Sequence, residues 1–152
     1  MTNEQLKEKI LKLNSSAAIA EGKTYLTVTV PSSELYALAK TLKESEDTAF
    51  DYLMCLTGVD YATNLGVFYH INSSKHNHSI VLKTTTADRE NAEVDSVYSL
   101  WKSAEYHERE VFDLLGIKFK NHPDLRRMFL DDDWVGHPLR KDYVDTINIV
   151  ER

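Results

Sequence analysis

Glu105–Tyr143 reads EYHEREVFDLLGIKFKNHPDLRRMFLDDDWVGHPLRKDY, and the reading of the whole chain turns on it. Nearly half of these residues are charged or histidine, yet Val, Leu, Ile, Phe, Met and Trp recur throughout. A solvated tail does not need the apolar residues, and a core segment does not tolerate so many charges. The composition predicts a folded surface held by ion pairs and covered by another protein. Its first part has helical spacing from about Ala104 to Leu115 and stops at Gly116, a natural helix terminator. On that helix His107, Val111, Leu114 and Leu115 gather on one side, while Glu105, Arg109 and Asp113 line the other at i, i+4 spacing. Such pairs are worth a few tenths of a kcal/mol and call for no functional explanation. Glu108 projects at the edge of the apolar stripe beside Phe112 and Leu115. A half-buried carboxylate there wants an arginine, with Arg126, Arg127 and Arg140 as candidates, so a structural ion pair is expected rather than a catalytic acid. IKF reads as a short strand. Beyond it Pro123, Gly136 and Pro138 break every period, which predicts an extended, ordered C-terminal loop.

Working back towards the N-terminus, Thr2 and Gln5 have the spacing of a capping box, and Leu6, Ile10 and Leu13 mark the face of a first helix. Leu26, Val28 and Val30 alternate with threonines as a half-buried strand does. Pro31 and Ser32 end that strand and open a second helix with the stripe Leu35, Leu38, Ala39 and Leu42. FDYLMCLTGVDY reads as a strand followed by a turn at Gly58. Val67, Tyr69 and Ile71 alternate, as do Ile80 and Leu82, with NSSKHN between them as a hairpin loop that lacks a tight two-residue signal. Val94, Val97, Tyr98 and Trp101 mark a third helix, which makes the one ending at Gly116 the fourth. The expected fold is α+β: two layers, a mixed or antiparallel sheet packed with helices, and the extended C-terminal loop. No linker or internal repeat divides it, so residues 1–152 are expected to form one domain.

Composition closes several alternatives. With 18 basic and 24 acidic residues the chain carries a formal charge of −6, which argues against nucleic acid as a partner. No apolar run is long enough to span a membrane, and MTNEQLKEK lacks the apolar core of a secretory signal, so a reducing compartment is expected. Cys55 is the single cysteine. It permits no internal disulfide and no iron–sulfur cluster, and within YLMCLTGV it reads as a small buried hydrophobe. GxSxG, GxGxxG and GxxxxGK[ST] are all missing, which leaves a hydrolase or a nucleotide site without local support. His76 and His78, two apart, could share a strand face and begin a metal site in a small stand-alone hydrolase or binding protein. No further ligand is evident nearby, and zinc would want three or four. His122 and His137, each before a proline, are expected to hydrogen-bond backbone or carboxylates. The basic pairs Arg126/Arg127 and Arg140/Lys141, with Phe129 and Trp134, have the arginine-plus-aromatic composition of interface anchors.

Three blocks, EREVFDLLGIKF, HPDLRRM and DDDWVGHPLRKDY, resemble in order and spacing the C-subunit (30-kDa subunit) family of respiratory complex I, the NADH:quinone oxidoreductase. TGVDY, VFYHI and DSVYSLW fit the same family more loosely, so the resemblance covers roughly residues 52–143. It implies an α+β subunit of the hydrophilic arm, peripheral on the cytoplasmic face of the membrane and touching it only through the complex. It also implies packing against the quinone-site D subunit and neighbouring iron–sulfur subunits. FMN, iron–sulfur clusters, NADH and quinone would then be held by other subunits, with no cofactor, metal or catalytic residue in this one. The family signature falls on Glu108, Arg109, Glu110, Asp113, Gly116, His122, Pro123, Leu125, Arg126 and Arg127, then on Trp134, Gly136, Pro138, Leu139, Arg140, Lys141, Asp142 and Tyr143, as docking and structural positions. Leu115, Val135 and Val144 depart from it, where relatives commonly have an aromatic, an acid and a proline. Related chains of membrane-bound hydrogenases and of complexes with other electron donors share the motif. On this reading Glu108→Ala or Arg140→Ala should impair assembly.

Overall fold

The computed structural model describes residues 2–86 and 88–145. The elements run α1 (Asn3–Leu13), β1 (Ala18–Glu21), β2 (Leu26–Thr29), α2 (Ser32–Glu44), β3 (Tyr52–Asp60), β4 (Leu65–Ser73), β5 (His78–Thr85), β6 (Glu93–Asp95), α3 (Ala104–Leu115) and β7 (Lys118–Lys120). The capping box opens α1: the Gln5 N–H donates to Thr2 Oγ1 at 3.3 Å, and the Thr2 N–H donates to the Gln5 side chain at 3.1 Å. Leu6 and Ile10 are buried as expected, but Leu13 points to solvent. The α2 stripe is buried in full.

Five strands form a mixed sheet in the order β1-β2-β5-β4-β3, with β2 and β5 parallel and the other pairs antiparallel. Register places Val28, Leu82, Tyr69 and Leu56 in one row across it. That face, the α1 and α2 stripes and Val111 and Leu115 of α3 make one buried cluster. The three helices therefore lie on one side, and among the described residues no element covers the sheet's other face. β6 and β7 form a separate parallel pair.

Three expectations are corrected. Gly58 is no turn: β3 runs through it, paired with Val67. A Cβ there would collide with Leu115 Cδ1 and stand 2.9 Å from Val111 Cγ1, so the glycine serves the close approach of α3 to β3. The helix expected over Val94–Trp101 does not form. Val94 pairs with Phe119 in the β6–β7 ladder, and Val97–Trp101 makes only a turn, in which the Leu100 and Trp101 N–H groups both reach the Val97 carbonyl at 2.9 Å. Val94, Val97, Leu100 and Trp101 are all buried, so burial of an irregular segment imitated a helical period. Cys55 is exposed, not buried. A register shift between Leu53 and Cys55 lets Leu53 and Leu56 both face the core and turns Cys55 to the uncovered face. The helix ending at Gly116 is thus the third, and β1, short and barely buried, left no pattern in the sequence.

Candidate functional site

Viewed down its axis, α3 turns Ala104, Val111 and Leu115 to the sheet and the Arg109 and Asp113 positions away from it. The last four carbonyls of a helix lack partners within it. Here the C-terminal loop supplies nearly all of them. Gly116, left-handed at φ 73°, gives its N–H to the Phe112 carbonyl at 2.8 Å. The Asp113 carbonyl accepts His137 Nδ1 at 2.9 Å and Arg127 Nη1 at 3.2 Å. The Leu114 carbonyl accepts the Leu139 N–H at 3.0 Å, and the Leu115 carbonyl accepts Arg140 Nε at 2.7 Å. Two guanidinium groups at the negative end of the helix dipole add to this cap.

The loop is held a second time through side chains on the outer side of α3. Instead of pairing with each other, Arg109 and Asp113 are both buried and both grip the loop backbone. Arg109 donates to the carbonyls of Arg126 and Arg127 at 3.3 and 3.0 Å. The Asp113 carboxylate accepts the successive N–H groups of Met128, Phe129 and Leu130 at 2.9, 2.7 and 3.1 Å, and Arg127 at 2.8 Å. Burial pushes the Asp113 carboxyl up, but those four donors outweigh it and hold it down at about 2. The other arm of Arg127 bonds the Trp134 and Gly136 carbonyls at 2.9 and 3.2 Å.

Glu108 departs from the expected arginine pair. It is fully buried, and its carboxylate accepts the Ser96 hydroxyl at 2.6 Å and the Val97 N–H at 2.8 Å. His122 Nε2 lies 3.9 Å away but donates to the Glu105 carbonyl at 3.0 Å, while His122 Nδ1 accepts the Asp124 N–H at 3.0 Å. Burial pushes the Glu108 carboxyl up to about 7 against the pull of Ser96 and Val97. Arg126, Arg127 and Arg140 are all engaged elsewhere, Arg126 with Asp124 at 2.8 Å. Glu108 thus ties α3 to the segment leaving β6.

A third tie is one that the residue pattern did not disclose. Arg89 makes a two-pronged pair with Asp60 at the end of β3, at 2.5 and 2.8 Å, and reaches Asp142 at 2.8 Å. The Lys141 N–H also donates to Asp60 at 2.8 Å. Arg89 above all holds the Asp60 carboxyl far below the ordinary carboxylate range. A single Arg in TADRE carries no spacing signal, so only the fold reveals it.

Of the signature residues, Arg109, Asp113, Gly116, Arg127, Gly136, Leu139 and Arg140 converge on the end of α3. Glu108 holds the segment leaving β6, His122 bonds the Glu105 carbonyl, and Lys141 and Asp142 belong to the third tie. Tyr143 packs against Gly136, whose Cβ would meet its ring at 3.0 Å, while Leu125 packs on the core cluster. Glu110 and Pro123 are exposed, Pro138 is half-buried, and none of the three joins these bonds. With its backbone so fixed, the loop leaves Phe129, Leu139 and Val135 in water at 61, 59 and 87% exposure. His76 and His78 do share a face, their rings stacked at 5.6 Å, but His76 Nε2 bonds the Glu46 carbonyl at 2.8 Å. Among the described residues no three His, Cys, Asp or Glu side chains come together as a metal would require.

Comparison with known proteins gives a consistent picture. The family model described as the respiratory-chain NADH dehydrogenase 30 kDa subunit matches residues 28–147. The NADH-quinone oxidoreductase C subunit of Moorella thermoacetica is 40% identical over 138 residues, 90% of this chain and 91% of that one. The C/D subunit of Phocaeicola vulgatus is 45% identical over 122 residues, 80% of this chain and 23% of that one. The C subunit of Chloroherpeton thalassium is 44% identical over 109 residues, 70% and 45%. The chain therefore spans less than half the length of these last two relatives. Among solved structures, the trypsin-resistant fragment (1–134) of Nqo5 superimposes with a TM-score of 0.68 at 25% identity, covering 82% of this chain and all of that one. A chain of the membrane-bound sulfane sulfur reductase, an archaeal respiratory membrane complex, shares the fold at a TM-score of 0.79 and 24% identity, covering 95% and 86%.

Proposed function

The chain belongs to the 30-kDa subunit family of respiratory-chain NADH dehydrogenases, and from that premise we propose that it is a non-catalytic structural subunit of the hydrophilic arm of a proton-translocating NADH:quinone oxidoreductase. Its task is to brace the quinone-site D subunit, with iron–sulfur subunits as its other neighbours. FMN, the iron–sulfur clusters, NADH and quinone are the business of those subunits. The chain reaches the membrane through the complex, on the cytoplasmic face; none of its described helices is long and apolar enough to cross a bilayer.

One observation carries this reading. The polar groups on the outer side of α3 are committed to fixing the backbone of the 122–142 loop, and the loop then presents apolar side chains to water. A surface that rigid and that apolar is suited to a partner rather than to turnover of a small molecule. Relatives named as C/D subunits support the D subunit as that partner. A brace matters because electron transfer to quinone needs a cavity of fixed geometry, and a misplacement far from the chemistry lowers the rate.

Phe129→Asp and Leu139→Asp test it. Both side chains are exposed, so the free chain should melt within about 0.5 kcal/mol of wild type. Native gels of membranes should show less intact complex, and NADH:quinone turnover should fall in proportion. Wild-type amounts of complex in both variants would refute the loop as the docking surface. Intact complex with lost turnover would instead give the loop a direct role in the chemistry.

A further inference from the structure

We propose that the uncovered face of the five-stranded sheet is a second docking surface, taken by another protein subunit that presents carboxylates among small and aromatic side chains. The inference rests on the reading of the chain as a subunit of a larger complex, and it makes the chain a spacer held between two neighbours.

Two complete rows cross this face. One is Ala18, Thr29, Lys83, Phe68 and Thr57; the next is Ala20, Thr27, Val81, His70 and Cys55. Strand spacing makes each row about 19 Å wide. A sheet face left to solvent is ordinarily polar and charged. This chain is 28% charged and has 24 carboxylate side chains, so ten positions on such a face, of which only Val81 is buried, should include several. They include one charge, Lys83, and no carboxylate. The remainder is small, β-branched or aromatic. Tyr25 extends the surface by setting its ring edge-on to His70 at 5.9 Å, and Tyr61 lies beneath the Lys83 ammonium at 5.0 Å. Phe68 supports the same ammonium at 5.3 Å.

The charge decides the occupant. Covering Lys83 costs free energy unless a carboxylate meets it. A second copy docked face to face through a two-fold axis would bring the same ten residues and no carboxylate. The partner therefore differs from this face in composition. Its position is also independent of the C-terminal loop. The loop sits on the side of α3 away from the sheet, α3 packs on the helix side, and the two rows lie on the far side of the sheet, so both surfaces can be occupied at once.

Cys55, the single cysteine, lies in the second row and reports on occupancy. The purified complex, captured through a tag on this chain, and the free chain are each treated with a maleimide–polyethylene glycol reagent, then denatured and read by gel shift. Cys55 in the complex should react about ten-fold more slowly, or less, than in the free chain, because access controls thiol reactivity. A C55S/E8C variant, with its thiol on the exposed side of α1, should react equally in both. K83E should retain the folded circular dichroism of the free chain and lose co-purifying subunits. Equal labelling of Cys55 in complex and free chain overturns the proposal while leaving the subunit reading intact. Labelling of the free chain that slows as its own concentration rises overturns it in favour of self-association. A tag that captures no other subunit from wild-type cells removes the reading on which it rests.

Discussion

Glu108 and Asp113 sit five residues apart on one helix, both fully buried, and their carboxyls are displaced in opposite directions. The difference lies in the donors: Asp113 has a guanidinium and three backbone N–H groups, whereas Glu108 has a hydroxyl and one N–H. The consequences for stability have opposite signs. Glu108 titrates near 7 when folded and near its ordinary value when unfolded, so it binds a proton more tightly in the native state. Its contribution to stability should therefore be highest below about pH 4.5 and fall as the pH rises towards 7. Asp113 is held low when folded, so its contribution is present above about pH 4 and fades as the pH falls towards 2. Glu108→Gln keeps the shape and one acceptor oxygen, and its amide can donate to Ser96 Oγ. It should be more stable than wild type at pH 8, by up to roughly 3 kcal/mol, and indistinguishable near pH 4. Urea unfolding at the two pH values checks this; parallel pH profiles for the two proteins would contradict it. Arg140→Ala belongs to the same scale. Loss of its charged hydrogen bond to the Leu115 carbonyl should cost about 2 kcal/mol in urea unfolding and diminish the intact complex on native gels.

At the scale of elements, the end of α3 is where local and tertiary requirements coincide. Gly116 must be left-handed to stop the helix, and it must lack a Cβ because His137 and Arg140 lie where one would be, at 2.5 and 2.8 Å. Gly116→Ala should therefore cost about 1–2 kcal/mol from backbone conformation alone, with the clash in addition. The loop should loosen before the sheet does, so trypsin should cut faster at Arg126, Arg127 and Arg140 while the rest of the chain stays protected. An unchanged cutting rate would contradict the cap. Much of this element was legible in the residue order: the apolar stripe, the glycine stop, the histidines bonding backbone, and the arginines drawn to this region. Their pairing was not, because it depends on how a loop without periodicity folds back. Glu108 shows the limit well. The spacing put a carboxylate at the edge of the stripe, but its partners lie on an irregular segment after β6 that imitated a helix. The exposure of Cys55 is hidden for a related reason: a single bulge exchanges the two faces of a strand, and its sequence trace is slight.

Over the whole molecule the parts form layers: an open sheet face, the sheet, the helices, and a loop clamped to the outer side of α3. The α+β class followed from alternating and helical periods, which left the sheet mixed or antiparallel until the parallel β2–β5 pair decided it, and the family followed from three spaced blocks. What no period could show is the three-point attachment of the loop, through the end of α3, through the buried Arg109 and Asp113, and through Asp60 and Arg89. Each point joins residues distant in sequence, and together they set apolar side chains in place that no described residue covers. The subunit reading explains why so many buried polar groups serve a surface loop. It is tested most directly by a tagged pull-down from mildly solubilised native membranes, with mass spectrometry and an NADH:quinone assay on the eluate. Recovery of a homologue of the D subunit with iron–sulfur subunits and NADH oxidation is the expected result. Hydrogenase activity in place of NADH oxidation would move the chain to a sister complex, and recovery of the chain alone would contradict the subunit reading.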